Sequence, residues 1–267
     1  RRHTLSAVGM RQREPEGPPP APAVQKLRIR YAKRGRLRFS STRDFQRALE
    51  RALRRADVPM AFSGGFHPHP RISYANAAAT GTASEAEYVE ISVTARVDPD
   101  ALRLALDAAL PDGLDVLAVV EAGPGALADR LQASEWVIAL RGMPVGQLRE
   151  AADAFWAQTQ VEVTRVLKAG PRTFDARAAV LDLAVDTAAS APVMTGVVPG
   201  ECAILRLVVR HTTPAVRPDD VLTALRVVAG LEPPTPPLVI RLAQGPLQEG
   251  SVRVTDPLAA SESDAGV

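Results

Sequence analysis

Apolar and polar residues alternate along several stretches of the first half of the chain. The period of two over residues 27–31 and 86–95 predicts β-strands with one buried face. Over residues 42–56, apolar side chains recur every three or four positions, which predicts an amphipathic helix, and Asp98-Pro99 starts a second helix. The predicted elements are strands at 27–31, 58–62, 86–95 and 114–120, and helices at 42–56 and 98–110.

The second half repeats this order more loosely and has one more strand. Two helical patterns again alternate with apolar runs of strand length, and Pro218 lies at the start of the second helix. The predicted elements are strands at 135–141, 161–168, 173–185, 199–210 and 238–242, and helices at 144–158 and 218–229.

The order strand–helix–strand–strand–helix–strand is that of the split βαβ, or ferredoxin-like, unit. We therefore predict an α+β protein with two ferredoxin-like halves in tandem, at residues 26–122 and 134–245. Each half is expected to have an antiparallel sheet with helices on one face. Residues 1–25 and 254–267 are polar, lack apolar periodicity and are predicted to be disordered. Met10 is a candidate for the natural first residue.

The composition excludes several kinds of site. Cys202 is the one cysteine, which excludes an internal disulfide and leaves too few thiolates for an iron–sulfur cluster or a Cys-rich zinc site. The thiol lies in an apolar run and is expected to be buried and inert. No run of 18 apolar residues exists, and the first residues lack the apolar core of a signal peptide. We expect a cytoplasmic protein without a metal or cofactor and without a membrane partner.

Positive charge is concentrated in one segment. The whole chain has a formal charge of +2, whereas residues 26–55 hold twelve Lys and Arg against two acidic residues. The same segment has a regular apolar pattern, so the charge is predicted to be displayed on folded structure. Folded basic faces bind phosphate groups or acidic proteins.

The first predicted helix has two distinct faces. At 100° per residue, its apolar residues cluster on one side and four arginines on the other. Like charges at these spacings destabilise a helix by roughly 0.2–0.5 kcal/mol per pair. The stripe therefore indicates either an anionic partner or an ordinary solvated face in an Arg-rich protein. The arginines are Arg43, Arg47, Arg51 and Arg54, opposite Phe45, Leu49, Ala52, Leu53 and Ala56.

The segment Gly64-Gly65-Phe66-His67-Pro68-His69-Pro70-Arg71 combines a flexible start with a rigid end. Its two histidines favour contact with phosphate or a nucleobase. Other interpretations are acid–base catalysis, a metal site completed by Asp44, and a purely structural loop. Phe66 is expected to anchor the loop to the core.

A second polar segment lies in the other half. Lys168 and Arg172 flank a Gly-Pro turn that is placed to reach phosphate, and Asp175 and Arg177 share one face of a strand. An ion pair between Asp175 and Arg177 is the structural interpretation of the second pair.

Several ordered motifs resemble those of one bacterial family. The chain is similar over about residues 26–245 to the radical-SAM-linked (radical-SAM-associated) proteins. The motifs that carry the resemblance are Arg36-Leu37-Arg38-Phe39-Ser40-Ser41-x-x-Asp44, Arg47-Ala48-Leu49-Glu50-Arg51-Ala52-Leu53-Arg54-Arg55-Ala56, Ala61-Phe62-Ser63-Gly64-Gly65-Phe66-His67-Pro68-His69-Pro70-Arg71-Ile72-Ser73, Gly81-x-x-Ser84-Glu85-x-Glu87-Tyr88 and Arg172-Thr173-x-Asp175-x-Arg177.

The resemblance implies a context rather than an activity, because this family is a domain of unknown function. Its members occur alone or joined to a radical S-adenosylmethionine protein, and free forms are encoded near ribonuclease E/G. Relatives commonly have Ser-His before the aspartate where this chain has Ser41-Thr42-Arg43, and often another polar residue at His67. Those departures argue against an obligatory catalytic histidine at either place.

Three functions follow as hypotheses. The first is an RNA-binding accessory protein, for tRNA or rRNA, that acts with a separate enzyme. The second is an RNA-processing or RNA-modifying enzyme in which His67, His69 or Asp44 is catalytic. The third is a docking module for a radical enzyme or ribonuclease E/G. The residues predicted to contact RNA are Lys33, Arg34, Arg36, Arg43, Arg47, Arg51, Arg54, Gly64, Gly65, His67, His69, Arg71, Lys168 and Arg172.

Overall fold

The computed structural model describes residues 17–187 and 202–260. These residues form ten β-strands, four α-helices and two short 3-10 helices. The predicted mixture of helices with mostly antiparallel strands is confirmed, and the strands are joined in one large open sheet.

The elements have the following bounds. The strands are β1 (Gln25–Lys33), β2 (Ile72–Ala75), β3 (Ala83–Val93), β4 (Leu114–Glu121), β5 (Ala133–Arg141), β6 (Glu162–Leu167), β7 (Gly170–Asp175), β8 (Val180–Thr187), β9 (Cys202–Arg210) and β10 (Leu238–Gly245). The helices are α1 (Thr42–Arg55), α2 (Pro99–Ala109), α3 (Val145–Trp156) and α4 (Pro218–Ala229), and the 3-10 helices are Gly35–Phe39 and Leu127–Arg130.

Eight strands form the large sheet. Seven follow the order β4-β1-β3-β10-β5-β9-β8, and β2 pairs with β3. Every pair is antiparallel except β3 with β10. Strands β6 and β7 form a separate hairpin. The first half of the chain thus supplies β1–β4, and the second supplies the remaining strands of the sheet.

Strand β10 joins the two halves. It pairs with β5 of its own half and, in parallel, with the start of β3, where Ile240 lies opposite Ala83. Strand β2 pairs with the same edge of β3 farther along, where Ile72 lies opposite Ile91. The same edge of β3 therefore pairs with β2 of its own half and with β10 of the other half.

All four helices lie on the same side of this sheet. Helices α1 and α2 cover the side that carries Val89 and Ile91, and alternation along β3 places Glu87 on that side too. Arg241 of β10 donates to Glu87, and its guanidinium lies 5.3 Å from the ring centre of Trp136. Trp136 packs in the core beneath α3 and α4, so this core and that of the first half are neighbours on one side.

The starts of α1 and α2 follow from their capping residues. The Ser41 hydroxyl accepts a hydrogen bond from the Asp44 N–H at 3.1 Å, and the Asp44 carboxylate accepts one from the Ser41 N–H at 3.1 Å. This reciprocal pair is a capping box. At α2, the Asp98 carboxylate accepts from the N–H groups of Asp100 and Ala101. Both helices were predicted to start at these places.

The predicted strand at 58–62 is wrong. Met60 makes a single bridge to Val93, and the second strand of this half, β2, begins only at Ile72. Pro59 and Pro70 lack N–H donors, so the segments that flank the loop cannot form a continuous ladder.

The predicted strand at 173–185 is divided into β7 and β8. The Asp175 carboxylate accepts hydrogen bonds from the N–H groups of Val161 and Arg177, both at 2.9 Å, which turns the chain between the two strands. Of the predicted tails, residues 1–16 and 261–267 lie outside the described residues, as do residues 199–201 of the predicted strand at 199–210. Strand β1 starts at Gln25, one residue inside the predicted N-terminal tail.

Candidate nucleic-acid interface

The four arginines of the α1 stripe are exposed. Phe45 and Leu49, on the opposite side of the helix, are buried against the sheet. Within the described residues, none of the four arginines forms a hydrogen bond or a close ion pair. The stripe therefore leaves its guanidinium donors available to a partner. Its members are Arg43, Arg47, Arg51 and Arg54, and Arg55 beside them is exposed as well.

The other basic residues of the segment differ in accessibility. Lys33 is buried, and its amino group donates to the carbonyl oxygens of Ala78 and Ala79, each at 3.3 Å. Burial lowers the pKa of Lys33. Lys33 therefore holds a loop inside the fold and does not lie on the basic surface.

Arg34 and Arg36 both lie at the surface. Arg34 forms ion pairs with Glu85 at 2.6 Å and Asp115 at 2.8 Å. The hydrogen bonds to Glu85 are the largest cause of its raised pKa. Arg36 is exposed and has no such partner among the described residues. Of these two arginines, Arg36 is thus the one whose charge remains uncompensated.

The loop between Phe62 and Pro70 is closed at its base. The N–H of Ser63 donates to the His69 carbonyl at 2.8 Å, and the N–H of His69 donates to the Ser63 hydroxyl at 3.0 Å. Phe62 and Pro70 form a bridge just outside this pair. Gly65 has φ +104°, a conformation that favours glycine, as the sequence suggested.

The aromatic residues of this loop face solvent. Phe66 is 61% exposed and Phe62 is 45% exposed. The expectation that Phe66 anchors the loop to the core is wrong, because the closed base already fixes the loop through backbone bonds. Gly64, Gly65, His67, His69 and Arg71 are exposed together with these rings. The loop thus presents aromatic and basic groups side by side.

A short segment joins the end of α1, which carries the arginine stripe, to the loop between Phe62 and Pro70. Helix α1 ends at Arg55, the Val58 N–H bonds back to the Leu53 carbonyl, and Met60 reaches the end of β3. Only a few residues then separate Met60 from the loop. The C-terminal arginines of the stripe and the loop are consequently at the same end of the first half.

The three catalytic candidates are not brought into one cluster by any contact in the described residues. Asp44 belongs to the α1 capping box, and hydrogen bonds from the Ser41 hydroxyl and N–H lower its pKa. The His67 and His69 side chains are exposed on the loop. Asp44 therefore has a structural role that explains its presence.

The second predicted segment lies on the β6–β7 hairpin. Lys168 and Arg172 are exposed there, in the half that does not contain α1. The hairpin is held to α4 by an ion pair of Arg165 with Asp220. The predicted ion pair of Asp175 with Arg177 is wrong: the Arg177 guanidinium lies 4.1 Å from the ring centre of Trp156.

Sequence analysis missed an exposed aromatic residue within the basic segment. Phe39 is 59% exposed and the Arg38 guanidinium lies 4.4 Å from its ring centre. The two line a groove of about 260 Å³ with Arg141 of the other half. This segment is a 3-10 helix that turns Phe39 outward. An aromatic residue among arginines was the signal available.

Three further properties concern residues 17–187 and 202–260. No three His, Cys, Asp or Glu side chains there come close enough to hold a metal ion. None of the helices in these segments has the length and apolar character needed to cross a bilayer. Cys202 is buried as predicted, and burial raises its pKa.

Comparison with known proteins identifies the family. The model of a family described as "Uncharacterized protein conserved in bacteria (DUF2344)" matches residues 26–218. The chain belongs to this family. The expected bacterial family of unknown function is thereby confirmed. No curated protein matches the chain.

One solved structure similar to the chain is a crystal structure of an unknown protein from Galdieria sulphuraria. The two share 14% sequence identity over 81% of this chain and 98% of that chain, with a TM-score of 0.23. A TM-score of this size supports no conclusion about fold or function.

Proposed function

We propose that this protein is an RNA-binding accessory protein that acts together with a separate enzyme. One observation carries the proposal: four arginines on one side of α1 are exposed and unpaired within the described residues. Mutual repulsion of such a stripe lowers helix stability, and the capping box and the buried apolar face are what hold the helix. Phosphate groups of RNA would offset the repulsion.

The loop that starts at Phe62 supports RNA rather than an acidic protein. The exposed rings of Phe62 and Phe66 offer surfaces on which unpaired bases can stack. His67, His69 and Arg71 of the same segment are exposed as well. Aromatic rings beside a basic groove are the usual means of binding single-stranded nucleic acid. An acidic protein partner would need the charges but not the exposed rings.

We also propose a more specific fold than a mixture of helices and mostly antiparallel strands. We propose that residues 26–122 and 134–245 are two ferredoxin-like units. The strand orders β4-β1-β3-β2 and β10-β5-β9-β8 support this, because each places its first strand between the last and the third. The β6–β7 hairpin is then an insertion after α3 in the second unit.

The proposed partner enzyme belongs to the radical S-adenosylmethionine class. The resemblance to radical-SAM-linked proteins motivates this partner, and ribonuclease E/G is the alternative. A chain with Cys202 alone lacks the thiolates for the cluster of such an enzyme, so the radical chemistry would belong to the partner. The proposal places the protein in the cytoplasm, with its RNA. Catalysis by the loop histidines stays an alternative.

The test measures RNA affinity as a function of salt. We expect wild-type protein to bind labelled tRNA or a single-stranded rRNA fragment, and the double change Arg47→Gln/Arg51→Gln to weaken binding. Each lost phosphate contact with a single strand makes the negative slope of log affinity against log salt shallower by about 0.7, so with the rRNA fragment the slope of the double variant should be shallower by about 1.4.

A matched control removes the same charge elsewhere. Arg149 on α3 and Arg226 on α4 are exposed, and Arg149→Gln/Arg226→Gln should leave the slope unchanged. Equal slopes for the two double variants would reject α1 as the phosphate-binding surface. Binding of a radical enzyme by a protein that retains no RNA would favour the docking module, and cleavage of RNA by the purified chain would favour the enzyme.

A further inference from the structure

A cleft of about 380 Å³ opens between the two halves of the protein. It lies on the side of the sheet that carries the helices, between the loop after β2 and the start of α4. None of the residues predicted to contact RNA lines it. Its polar and aromatic lining includes Asn76, Ser134, Trp136, His211, Arg217 and Arg241.

The ring of His211 is held in one orientation. Its Nδ1 lies 2.7 Å from the Leu131 carbonyl oxygen, which only accepts, so Nδ1 carries the proton. Nε2 then accepts from the Ser134 hydroxyl at 2.6 Å. Asn76 Nδ2 lies 3.4 Å from the same nitrogen. Burial lowers the pKa of His211 and favours the neutral ring. The cleft therefore has a fixed polar edge.

Arg241 is fixed beside that edge. Its side chain is 2% exposed, and Nε and Nη2 donate to the Ser84 hydroxyl, the Glu87 carboxylate and the Asn76 carbonyl. Within the described residues, Nη1 has no hydrogen-bond partner. The two N–H groups of Nη1 thus remain for a molecule in the cleft.

The Arg217 side chain adds a positive charge at the mouth of the cleft. Arg217 precedes the helix, is exposed, and its side chain makes no capping bond. The first turn of α4 already carries Asp219 and Asp220, and the Asp220 carboxylate accepts from the Arg217 N–H at 2.7 Å, so the charge offered to an anion there is that of the Arg217 guanidinium. Of the two arginines in the lining, Arg241 is paired with Glu87, so Arg217 is the one that supplies a positive charge beside Asp219, and Arg241 supplies the N–H groups of Nη1. A phosphate group is the anion that matches an RNA-binding protein.

We propose that this cleft receives one unstacked nucleotide of a bound RNA. The phosphate lies between the Arg217 side chain and Nη1 of Arg241, and the base lies beside Trp136 with its polar edge toward the Ser134 hydroxyl and the Asn76 amide, which His211 Nε2 holds in place. Ligand pockets have volumes of roughly 300–1,000 Å³, so a nucleotide fits. Proteins commonly read RNA through splayed bases that meet aromatic and polar groups. The inference rests on the proposed RNA-binding function.

The cleft lies next to the helix that carries the arginine stripe. Ala77 and Ala78 line the cleft and also the small hollow beside Thr42 and Phe45 of α1. A single loop therefore separates the two places, on the same side of the sheet. An RNA strand bound across α1 can therefore reach the cleft without passing around the edge of the sheet.

The experiment uses AMP, GMP, CMP and UMP as probes. The protein has two tryptophans, and Trp156→Phe leaves Trp136 as the single fluorophore. We expect a saturable change in fluorescence with at least one nucleotide, and weaker binding of ribose 5-phosphate. Arg217→Gln should weaken nucleotide binding about tenfold or more, since it removes a charge-assisted hydrogen bond. Arg226→Gln, on the same helix outside the cleft, should have no effect.

A second variant tests the base side of the cleft. His211→Gln should reduce the differences in affinity among the four nucleotides and leave ribose 5-phosphate binding unchanged, in protein whose melting curve shows it is folded. No saturable change with any nucleotide, or equal effects of Arg217→Gln and Arg226→Gln, would overturn the cleft proposal. If the protein binds RNA but no nucleotide, the cleft proposal is rejected and the RNA-binding function stands. If nucleotides bind but Arg47→Gln/Arg51→Gln does not change RNA affinity, the α1 surface is rejected and the cleft proposal stands.

Discussion

Arg241 donates a hydrogen bond to the Glu87 carboxylate, although the two residues lie 154 positions apart in the chain. Both side chains are 2% exposed, and Glu87 also accepts from the Ala78 N–H at 2.8 Å. The pair lies where β10 of one half meets β3 of the other. Its geometry therefore depends on the two halves being joined correctly.

Breaking this pair should be costly. Glu87→Ala leaves a buried guanidinium without its counter-charge and should reduce the free energy of unfolding by about 3–5 kcal/mol. The double change Glu87→Leu/Arg241→Met removes both charges and should cost less than Glu87→Ala alone. Urea unfolding followed by circular dichroism measures both.

The neighbouring acidic residue provides the control for that experiment. Glu85 pairs with Arg34, whose side chain is 45% exposed, so Glu85→Ala should cost less than about 1 kcal/mol. Similar losses for Glu85→Ala and Glu87→Ala would contradict a stabilising role for the buried pair.

Ser41→Ala should separate capping from catalysis. The change removes the hydroxyl that accepts from the Asp44 N–H at the start of α1, and caps of this kind contribute about 1 kcal/mol. RNA affinity of the folded protein should stay at the wild-type value, because the arginines are unchanged. Melting temperature and RNA affinity are measured on the same samples. A large loss of affinity or of any RNA cleavage, without a loss of stability, would indicate that the Ser41–Asp44 pair acts on RNA.

Stability should depend on pH through His211. Burial lowers its pKa below 6.5, so near pH 6 the unfolded chain binds more protons than the folded protein. The contribution of neutral His211 is therefore complete above about pH 7.5 and is lost as the pH falls through 6.5. The charge of Arg241 acts in the same direction, whereas the hydrogen bond to the Leu131 carbonyl favours the protonated ring.

Urea unfolding from about pH 5 to pH 8 tests this dependence. The loss of stability on acidification should be smaller in His211→Gln than in wild type. His67→Gln/His69→Gln changes two exposed histidines and should keep the wild-type pH dependence. The same acid loss in His211→Gln and wild type would refute the assignment to His211.

Phe66→Ala should weaken single-stranded RNA binding without destabilising the protein. The ring is 61% exposed, and stacking of one base on an aromatic ring contributes about 1–3 kcal/mol, or roughly fivefold to a hundredfold in affinity. Leu104→Ala on α2 is the control, since Leu104 is 60% exposed and apolar but not aromatic. If both changes weaken RNA binding equally, the ring does not stack on a base.

Local signals in the sequence predicted the elements whose periods are unambiguous. Helix α1 was recognised because its apolar and basic residues separate at a helical period. The segment at 58–62 has apolar residues too, yet prolines on both sides of the loop prevent a ladder there. The position of β10 between β3 and β5 depends on pairing over more than a hundred residues, which no local pattern encodes.

Some features of the candidate site were likewise predictable from local sequence, and others depend on distant pairing. The exposure of Arg43, Arg47, Arg51 and Arg54 follows from the helical period and was predictable. The burial of Lys33 was not, because its carbonyl partners come from the loop after β2. His211 follows a strand end and attracts no attention in the sequence. Its partners Leu131 and Ser134 are brought to it only by the pairing of β5 with β9.

The position of β10 has a consequence for biosynthesis. It is the last of the ten strands to leave the ribosome, yet it lies in the middle of the sheet. The first half can form its own sheet early, but the union of the halves must wait until residue 245 has emerged. Until then the unused part of the β3 edge and the edge of β5 are open to pairing with other chains, so the risk of misassembly is greatest in this interval.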